Sequence, residues 1–216
     1  MSLKPLRILI TAGPTRECLD PIRFISNSAT GSLGFEIAKT ALRRGHHVTL
    51  ISGPTYLPPP KKAKFISVVT ALKMKDAVLR NLADCDCVIM TAAVCDWRPS
   101  KFFSNKIKRG KRRFTLKLIE NPDVLAIARR KSRGTKKIFV GFSLETKDLV
   151  KNSYGKLRKK KLDLIVGNLI SKGKSPFGEG TKDWIIIGKD KKLIQLKSKT
   201  KTQLARILLD SIGGLC

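Results

Sequence analysis

Aromatic side chains are scarce in this sequence. Phe, Trp and Tyr together make up 6% of its 216 residues, with only two Trp and two Tyr. A nucleic-acid platform that stacks bases on interleaved rings is therefore missing, and the core must rest on Ile, Leu and Val. No apolar run approaches the ~18 residues needed to span a bilayer. Met1 to Arg7 leads straight into a strand-like run without an apolar signal segment. A soluble, cytoplasmic protein is expected. The only histidines are His46 and His47, adjacent in an expected turn. The cysteines, Cys18, Cys85, Cys87, Cys95 and Cys216, are odd in number and follow no disulfide framework. They also lack the second Cys/His pair that a zinc site of about four ligands requires. Cys85 and Cys87, two apart in an expected strand, should face one side of it.

Acidic residues are few as well. Asp and Glu number 16 against 45 Lys and Arg, a formal net charge of +29. Such a field attracts polyanions. The cations are spread along the chain, with local runs at Lys106–Arg113 and Lys156–Lys161. That spread reads as a solvated surface, able to bind nucleic acid only weakly and without sequence preference. What the chain does have is a 42% share of hydrophobic residues. This suffices for one sizeable core, and a single domain over residues 1–216 is the default at this length.

The apolar residues come in short runs. Arg7–Ala12 reads as a buried parallel strand ending in Gly13-Pro14-Thr15. A long polar loop follows, then a helix from Phe35 to Arg44 closed by Gly45. His47–Ser52, Phe65–Val69 and Cys87–Val94 read as strands, with a helix over Ala71–Ala83. Asp96–Arg113 reads as a basic loop, Phe114–Ile119 as a strand and Pro122–Lys131 as a helix. Strands at Lys137–Phe142 and Asp163–Val166 flank a helix near Asp148–Lys161. Asp183–Ile187 and Leu193–Leu196 form an antiparallel hairpin, and Thr202–Ile212 is the last helix. Strands alternating with helices predict an α/β, Rossmann-like doubly wound fold: a mostly parallel sheet with a C-terminal antiparallel hairpin.

Ligands of such sheets bind outside the carboxyl ends of the strands. Gly13–Thr15, Met90–Asp96, Gly141–Phe142 and Asn168 fall there. A nicotinamide-dinucleotide site is disfavoured. The glycine loop is Gly31-x-x-Gly34 and lies far beyond the first strand, and Ser52-Gly53 stands where an acid should hold the ribose. The loop still opens a helix, so it suits either a phosphate or plain close packing of helix on sheet. Asn121-Pro122 has the form of a helix start, with Asn as cap and Pro first in the helix. Lys156 and Lys160 share one helix face, which is usually solvated.

Taken together these segments are more specific. In order they are Gly13-Pro14-Thr15-Arg16-Glu17, Asp20-Pro21-Ile22-Arg23-Phe24-Ile25-Ser26-Asn27 and Thr30-Gly31-x-x-Gly34. Ala92-Ala93-Val94-x-Asp96-Trp97, Lys106-Ile107-Lys108 and Asn121-Pro122-Asp123-Val124 follow. Gly141-Phe142-x-x-Glu145-Thr146 and Lys160-x-Leu162-Asp163 complete the series. It resembles bacterial phosphopantothenoylcysteine synthetase along nearly the whole chain. The resemblance implies a ligase of coenzyme A biosynthesis. It would join 4′-phosphopantothenate to cysteine through an acyl-cytidylate, using CTP with Mg²⁺, as a homodimer. With the chain starting at the synthetase's first strand, a single-activity enzyme is implied, its decarboxylase on a separate chain. The resemblance further implies that Asn27 holds the acyl-cytidylate and that Lys106 offsets phosphate charge. Met90, Thr91, Ala92, Asp96, Asn121, Pro122, Asp123, Val124, Phe142, Lys156 and Lys160 would contact the nucleotide. Protein ligands of the metal are not indicated. One departure is Ser32, where relatives often carry a basic residue after the loop glycine.

Overall fold

The computed structural model describes residues 4–110, 113–170 and 178–216. Its centre is an eight-stranded sheet in the order β12-β11-β10-β9-β6-β1-β4-β5. These strands are β1 (Arg7–Ala12), β4 (His47–Ser52), β5 (Lys64–Ser67), β6 (Cys87–Met90), β9 (Ile138–Glu145), β10 (Leu164–Leu169), β11 (Lys182–Gly188) and β12 (Leu193–Lys199). Pairing is parallel from β5 through to β10, and β11 and β12 add antiparallel at one edge. The expected doubly wound sheet with its C-terminal hairpin is thus the fold observed.

Sequence alternation assigns side chains to the two faces. Along β1, Ile8, Ile10 and Ala12 enter the layer shared with α1 (Ser32–Arg43) and α5 (Lys201–Gly213). Leu9 points to the opposite layer, with α2 (Ala71–Asn81), α3 (Val124–Lys131) and α4 (Leu149–Lys160). Both faces are covered, which is why β1, β6 and β9 are almost continuously apolar.

Several expectations are corrected. Cys85 and Cys87 do not face one side: Cys87 packs in the α1/α5 layer and Cys85 in the other. The reason is that β6 begins at Cys87, so Cys85 lies in the preceding turn, its thiol bonded to the Leu82 carbonyl at 3.3 Å. Burial pushes the Cys85 thiol up to about 11, and all five cysteines are unpaired. The polar loop after β1 contains a small hairpin, β2 (Arg16–Cys18) with β3 (Phe24–Ser26). The basic loop is also partly ordered by pairing. β7 (Trp97–Pro99) pairs with β8 (Leu118–Glu120), so the strand expected at Phe114–Ile119 begins later. Helix α3 is not capped by Asn121. Its cap is Asp123, whose carboxylate accepts from the Ala126 N–H at 3.0 Å, which places Pro122 before the helix. His46 is no turn residue open to solvent. It is buried, its Nδ1 accepting from the Leu6 N–H at 3.1 Å.

Candidate active site

The sheet order reverses at β1: chain leaving β1 reaches β4 on one side, while β6 pairs on the other. The carboxyl ends of β1 and β6 therefore splay apart at a switch point, where such folds bind ligands. The two ends are stitched together first. The Thr91 N–H donates to the Thr11 carbonyl at 3.3 Å, and the Thr91 hydroxyl donates to it at 2.6 Å. The Ala93 N–H reaches the Gly13 carbonyl at 3.0 Å, and the Cys95 N–H reaches the Thr15 hydroxyl at 3.0 Å. These bonds fix the Met90–Asp96 segment as one wall of a cavity of about 770 Å³, a size within the range of small-molecule sites.

The other walls come from distant parts of the chain. Asn27 and the glycine loop, residues 29–34, form one side. Residues 120–125 and Phe142, Lys156 and Lys160 form another, and Asn168, Trp184 and Lys201 close the rim. The structure so gathers Asn27, Met90, Thr91, Ala92, Asp96, Asn121, Pro122, Asp123, Val124, Phe142, Lys156 and Lys160 around one space. Lys106 is not among its lining residues. It lies in the exposed basic strap between β7 and β8, anchored at its neighbour Ile107. The Ile107 N–H donates to Asp20 Oδ2 at 3.1 Å, and the Arg23 guanidinium donates to the Ile107 carbonyl at 2.7 Å. Ser32, noted from sequence only as a departure, belongs to the lining, and so do Trp184 and Lys201, which were not singled out from sequence. Lys201 could not be: it meets Ser32 across 169 positions of chain and looks like one more surface lysine.

Each wall has its own cause. Gly31 caps α1 with φ 81° and no side-chain capping bond of its own, while the Ser32 N–H that opens the helix donates to the Thr30 hydroxyl at 3.3 Å. Gly34 serves packing. A Cβ there would stand 2.5 Å from the Thr91 hydroxyl and 2.7 Å from the Ala12 Cβ. The two glycines thus answer to different needs, a left-handed turn and a close helix–sheet approach. Asn121 is buried and its amide is committed to the fold: it donates to the Cys95 carbonyl at 2.9 Å and accepts from Arg98 at 3.0 Å. The Asn27 amide nitrogen donates to the Ala93 carbonyl at 2.9 Å and, over a longer 3.8 Å, to Cys95 Sγ, which leaves Oδ1 facing the cavity without a partner among the described residues.

Charge is arranged in pairs at the α3/α4 wall. Lys160 bridges Asp123 at 2.8 Å, and Lys156 lies 3.5 Å from Glu145. Burial alone would raise the Asp123 carboxyl, but Lys160 and the Ala126 N–H outweigh it and hold it below the ordinary value. Glu145 behaves alike: burial works upward, while the Ser143 hydroxyl, at 2.5 Å, and Lys156 hold it down. Among the described residues, no three His, Cys, Asp or Glu converge as a metal cage. The place where a dinucleotide-binding protein needs an acid is filled by backbone: a Cβ on Gly53 would stand 1.8 Å from the Pro14 carbonyl oxygen. A second cavity, of about 440 Å³, is ringed by Arg129, Arg130, Arg133, Lys159, Lys160 and Lys161. Among the described residues no helix is long and apolar enough to cross a membrane.

Fold and cavity define the class: a Rossmann-like α/β protein with a cation-bearing cleft at the switch point of its sheet. Within that class, the chain belongs to the DNA/pantothenate metabolism flavoprotein C-terminal domain family, which it matches over residues 3–215. It is 40% identical over 217 residues to the coenzyme A biosynthesis bifunctional protein CoaBC of Bacillus subtilis (strain 168), covering 99% of this chain and 52% of that protein. To the CoaBC of Escherichia coli (strain K12) it is 39% identical over 214 residues, covering 97% and 52%. The crystal structure of the C-terminal domain of a CoaBC superposes with a TM-score of 0.84 at 34% identity, covering 99% of this chain and 97% of that one. The chain spans about half the length of the curated relatives it matches.

Proposed function

We propose that the switch-point cavity is a phosphopantothenate–cysteine ligase site. The observation that carries this reading is the convergence of Asn27, residues 90–96, residues 121–124, Phe142, Lys156 and Lys160 on one cavity in a chain of this family. A carboxylate is a poor acyl electrophile because its leaving group would be oxide. In the proposed reaction the carboxylate oxygen of 4′-phosphopantothenate attacks the α-phosphorus of CTP, and pyrophosphate leaves. The cysteine amine then attacks the acyl carbon, loses its proton and expels CMP, leaving an amide.

Both steps build negative charge, and preorganised donors lower such barriers. Asn27 is read as the donor to the acyl-cytidylate, its amide exchanging the long contact with Cys95 Sγ for a ligand oxygen. Backbone groups at Met90, Thr91 and Ala92, with Asp96 and residues 121–124, are read as the nucleotide wall, and Phe142 as a surface on which the base packs. Lys156 and Lys160 supply cations whose carboxylate partners keep them in place between turnovers. Lys106 enters by resemblance alone. Mg²⁺ would arrive on the triphosphate and keep mostly phosphate and water ligands. The bound metal would supply charge neutralisation. The reading includes a homodimer acting in the cytoplasm. Exposed Phe24, Trp97, Phe102 and Phe114 on the β2–β3 and β7–β8 arms give a self-association surface its apolar content.

The test is pyrophosphate release from each nucleoside triphosphate, with 4′-phosphopantothenate present and absent, followed by trapping with cysteine. CTP-dependent release that requires the acid, well above release from ATP, is expected. Release that is independent of the acid, or equal turnover with ATP, would overturn the reading or its nucleotide preference respectively.

A further inference from the structure

Among the described residues three lysines line the cavity, and one differs from the others. Lys156 and Lys160 are each within 4 Å of a carboxylate. Lys201 lines the same cavity without an ion-pair partner among the described residues. Its Nζ instead donates to the Ser32 hydroxyl at 2.6 Å, and Ser32 Oγ lies 2.9 Å from Thr30 Oγ1. Lys201 opens α5, where Thr200 and Gln203 form a reciprocal capping box that fixes the first turn. The neighbouring Thr202 hydroxyl donates to Glu36 of α1 at 3.0 Å, so the two helix starts are tied together. The ammonium is thus placed by its own helix and by α1. Burial lowers its proton affinity, with Glu179 opposing. A partly desolvated cation resting on a neutral hydroxyl, with no carboxylate in contact with it among the described residues, has two hydrogens left to donate to an anion.

We infer that Lys201, with Ser32 and Thr30, forms a phosphate-binding subsite at the α1 end of the cavity, across from the Lys156/Lys160 wall. The ligand is a phosphate group of a substrate, either the monoester of 4′-phosphopantothenate or the triphosphate of CTP. That choice of substrates rests on the ligase reading, whereas the affinity for phosphate does not. An ammonium bridging a phosphate oxygen and a serine hydroxyl exchanges a neutral contact for a charge-assisted one, which is roughly twice as strong.

The test uses the whole chain and inorganic pyrophosphate in a calorimeter, a readout that needs no turnover. Lys201→Ala should weaken pyrophosphate binding about tenfold or more, and Lys201→Arg should keep most of it. Ser32→Asp gives the ammonium an internal partner and should also weaken binding. At the start of α1 an acid favours the helix, so this variant should fold at least as well as wild type. Loss of binding in a fully stable Ser32→Asp separates ligand binding from a structural role, even if Lys201→Ala folds poorly. Unchanged pyrophosphate affinity in Lys201→Ala or Ser32→Asp overturns the inference. In the ligase assay, a rise in KM for CTP alone assigns the subsite to the triphosphate, and a rise for 4′-phosphopantothenate alone assigns it to the monoester. If wild type binds pyrophosphate through Lys201 yet shows no ligation, the subsite stands and the ligase reading falls.

Discussion

Replacing Gly34 by Ala sets two known effects against each other. Inside a helix, Ala is better than Gly by about 1 kcal/mol, and α1 would gain that amount. The added methyl, however, would lie 2.5 Å from the Thr91 hydroxyl and 2.7 Å from the Ala12 Cβ, where carbon contacts are comfortable at about 3.5–4.0 Å. Thr91 could rotate, but its hydroxyl would then lose the 2.6 Å bond to the Thr11 carbonyl, worth about 1 kcal/mol. Ala12 sits on a central strand and cannot give way, so α1 must lift by roughly an ångström, at an overpacking cost of about 1–3 kcal/mol. The balance is a net loss of about 1–3 kcal/mol, with the glycine loop displaced from the cavity. Gly155 is the control: it lies within α4, and a Cβ there meets nothing within 4 Å. Gly155→Ala should stabilise by up to about 1 kcal/mol. Urea denaturation of both variants measures the difference, and nucleotide affinity of Gly34→Ala measures the displacement. A Gly34→Ala protein as stable as wild type, or a Gly155→Ala protein as damaged as Gly34→Ala, would refute the packing argument.

Four further outcomes are expected. Asp20 is buried, and its carboxylate is held well below the ordinary 3.8 by the Arg23 guanidinium, with the N–H groups of Ile22, Ile107 and Arg23 adding to the effect. A depressed carboxylate contributes stability that is full above the ordinary value and lost as pH falls through the folded-state value. Asp20→Asn should therefore be less stable than wild type at pH 7, by an amount that is constant down to about pH 4 and shrinks below it. A gap that grows on acidification in denaturation curves contradicts this. Asn27→Asp replaces a donor by a charge that repels phosphate and should cut acyl-cytidylate formation about a hundredfold while the protein stays folded. Lys106→Gln should also lower turnover strongly. Single-turnover kinetics alongside circular dichroism checks both, and a folded variant at wild-type rate removes that residue from the mechanism. Finally, the +29 chain should bind DNA without sequence preference at ~50 mM salt and lose most of that binding by ~200 mM. Ligation should persist better over the same series, and selective binding that survives high salt would contradict a purely electrostatic surface.

Sequence reading succeeded where one physical signal dominated. The bounds of β1 and β4 follow directly from the apolar runs Arg7–Ala12 and His47–Ser52, because strands covered on both faces leave little room for polar residues. It failed where elements are too short to show a period. β2, β3, β7 and β8 have three residues each, and their pairing is set by tertiary contacts such as the Phe103 N–H on the Leu19 carbonyl. The reading of Cys85 failed by extending strand alternation two residues past where β6 begins. The part of the cavity at strand ends, Gly13, residues 90–96, Phe142 and Asn168, was legible from topology, whereas Asn27, residues 121–124, Lys156 and Lys160 lie in loops and helices and were implied only by the resemblance. Lys201 was not, because nothing local marks a lysine that acts 169 residues away. Asn121 shows the converse. Its residue type suggested a cap, while its buried amide in fact ties the Cys95 carbonyl to Arg98.

The four residues of β6 have a consequence for how the chain assembles. β1, β4 and β5 pair among themselves within residues 7–67, and β9 to β12 do so within residues 138–199. Each half is a sheet fragment with one raw edge, at β1 and at β9, and Cys87–Met90 is the single strand that fits between them. Joining the two halves through it pairs residues far apart in the chain, a non-local event of the kind that slows folding. The same segment carries Met90 into the cavity wall and leads directly to Thr91 and Ala92. A ligand that grips this wall binds only the molecule whose halves have already joined. It therefore stabilises the seam of the whole sheet by mass action, and ligand concentration becomes a handle on global unfolding as well as on catalysis.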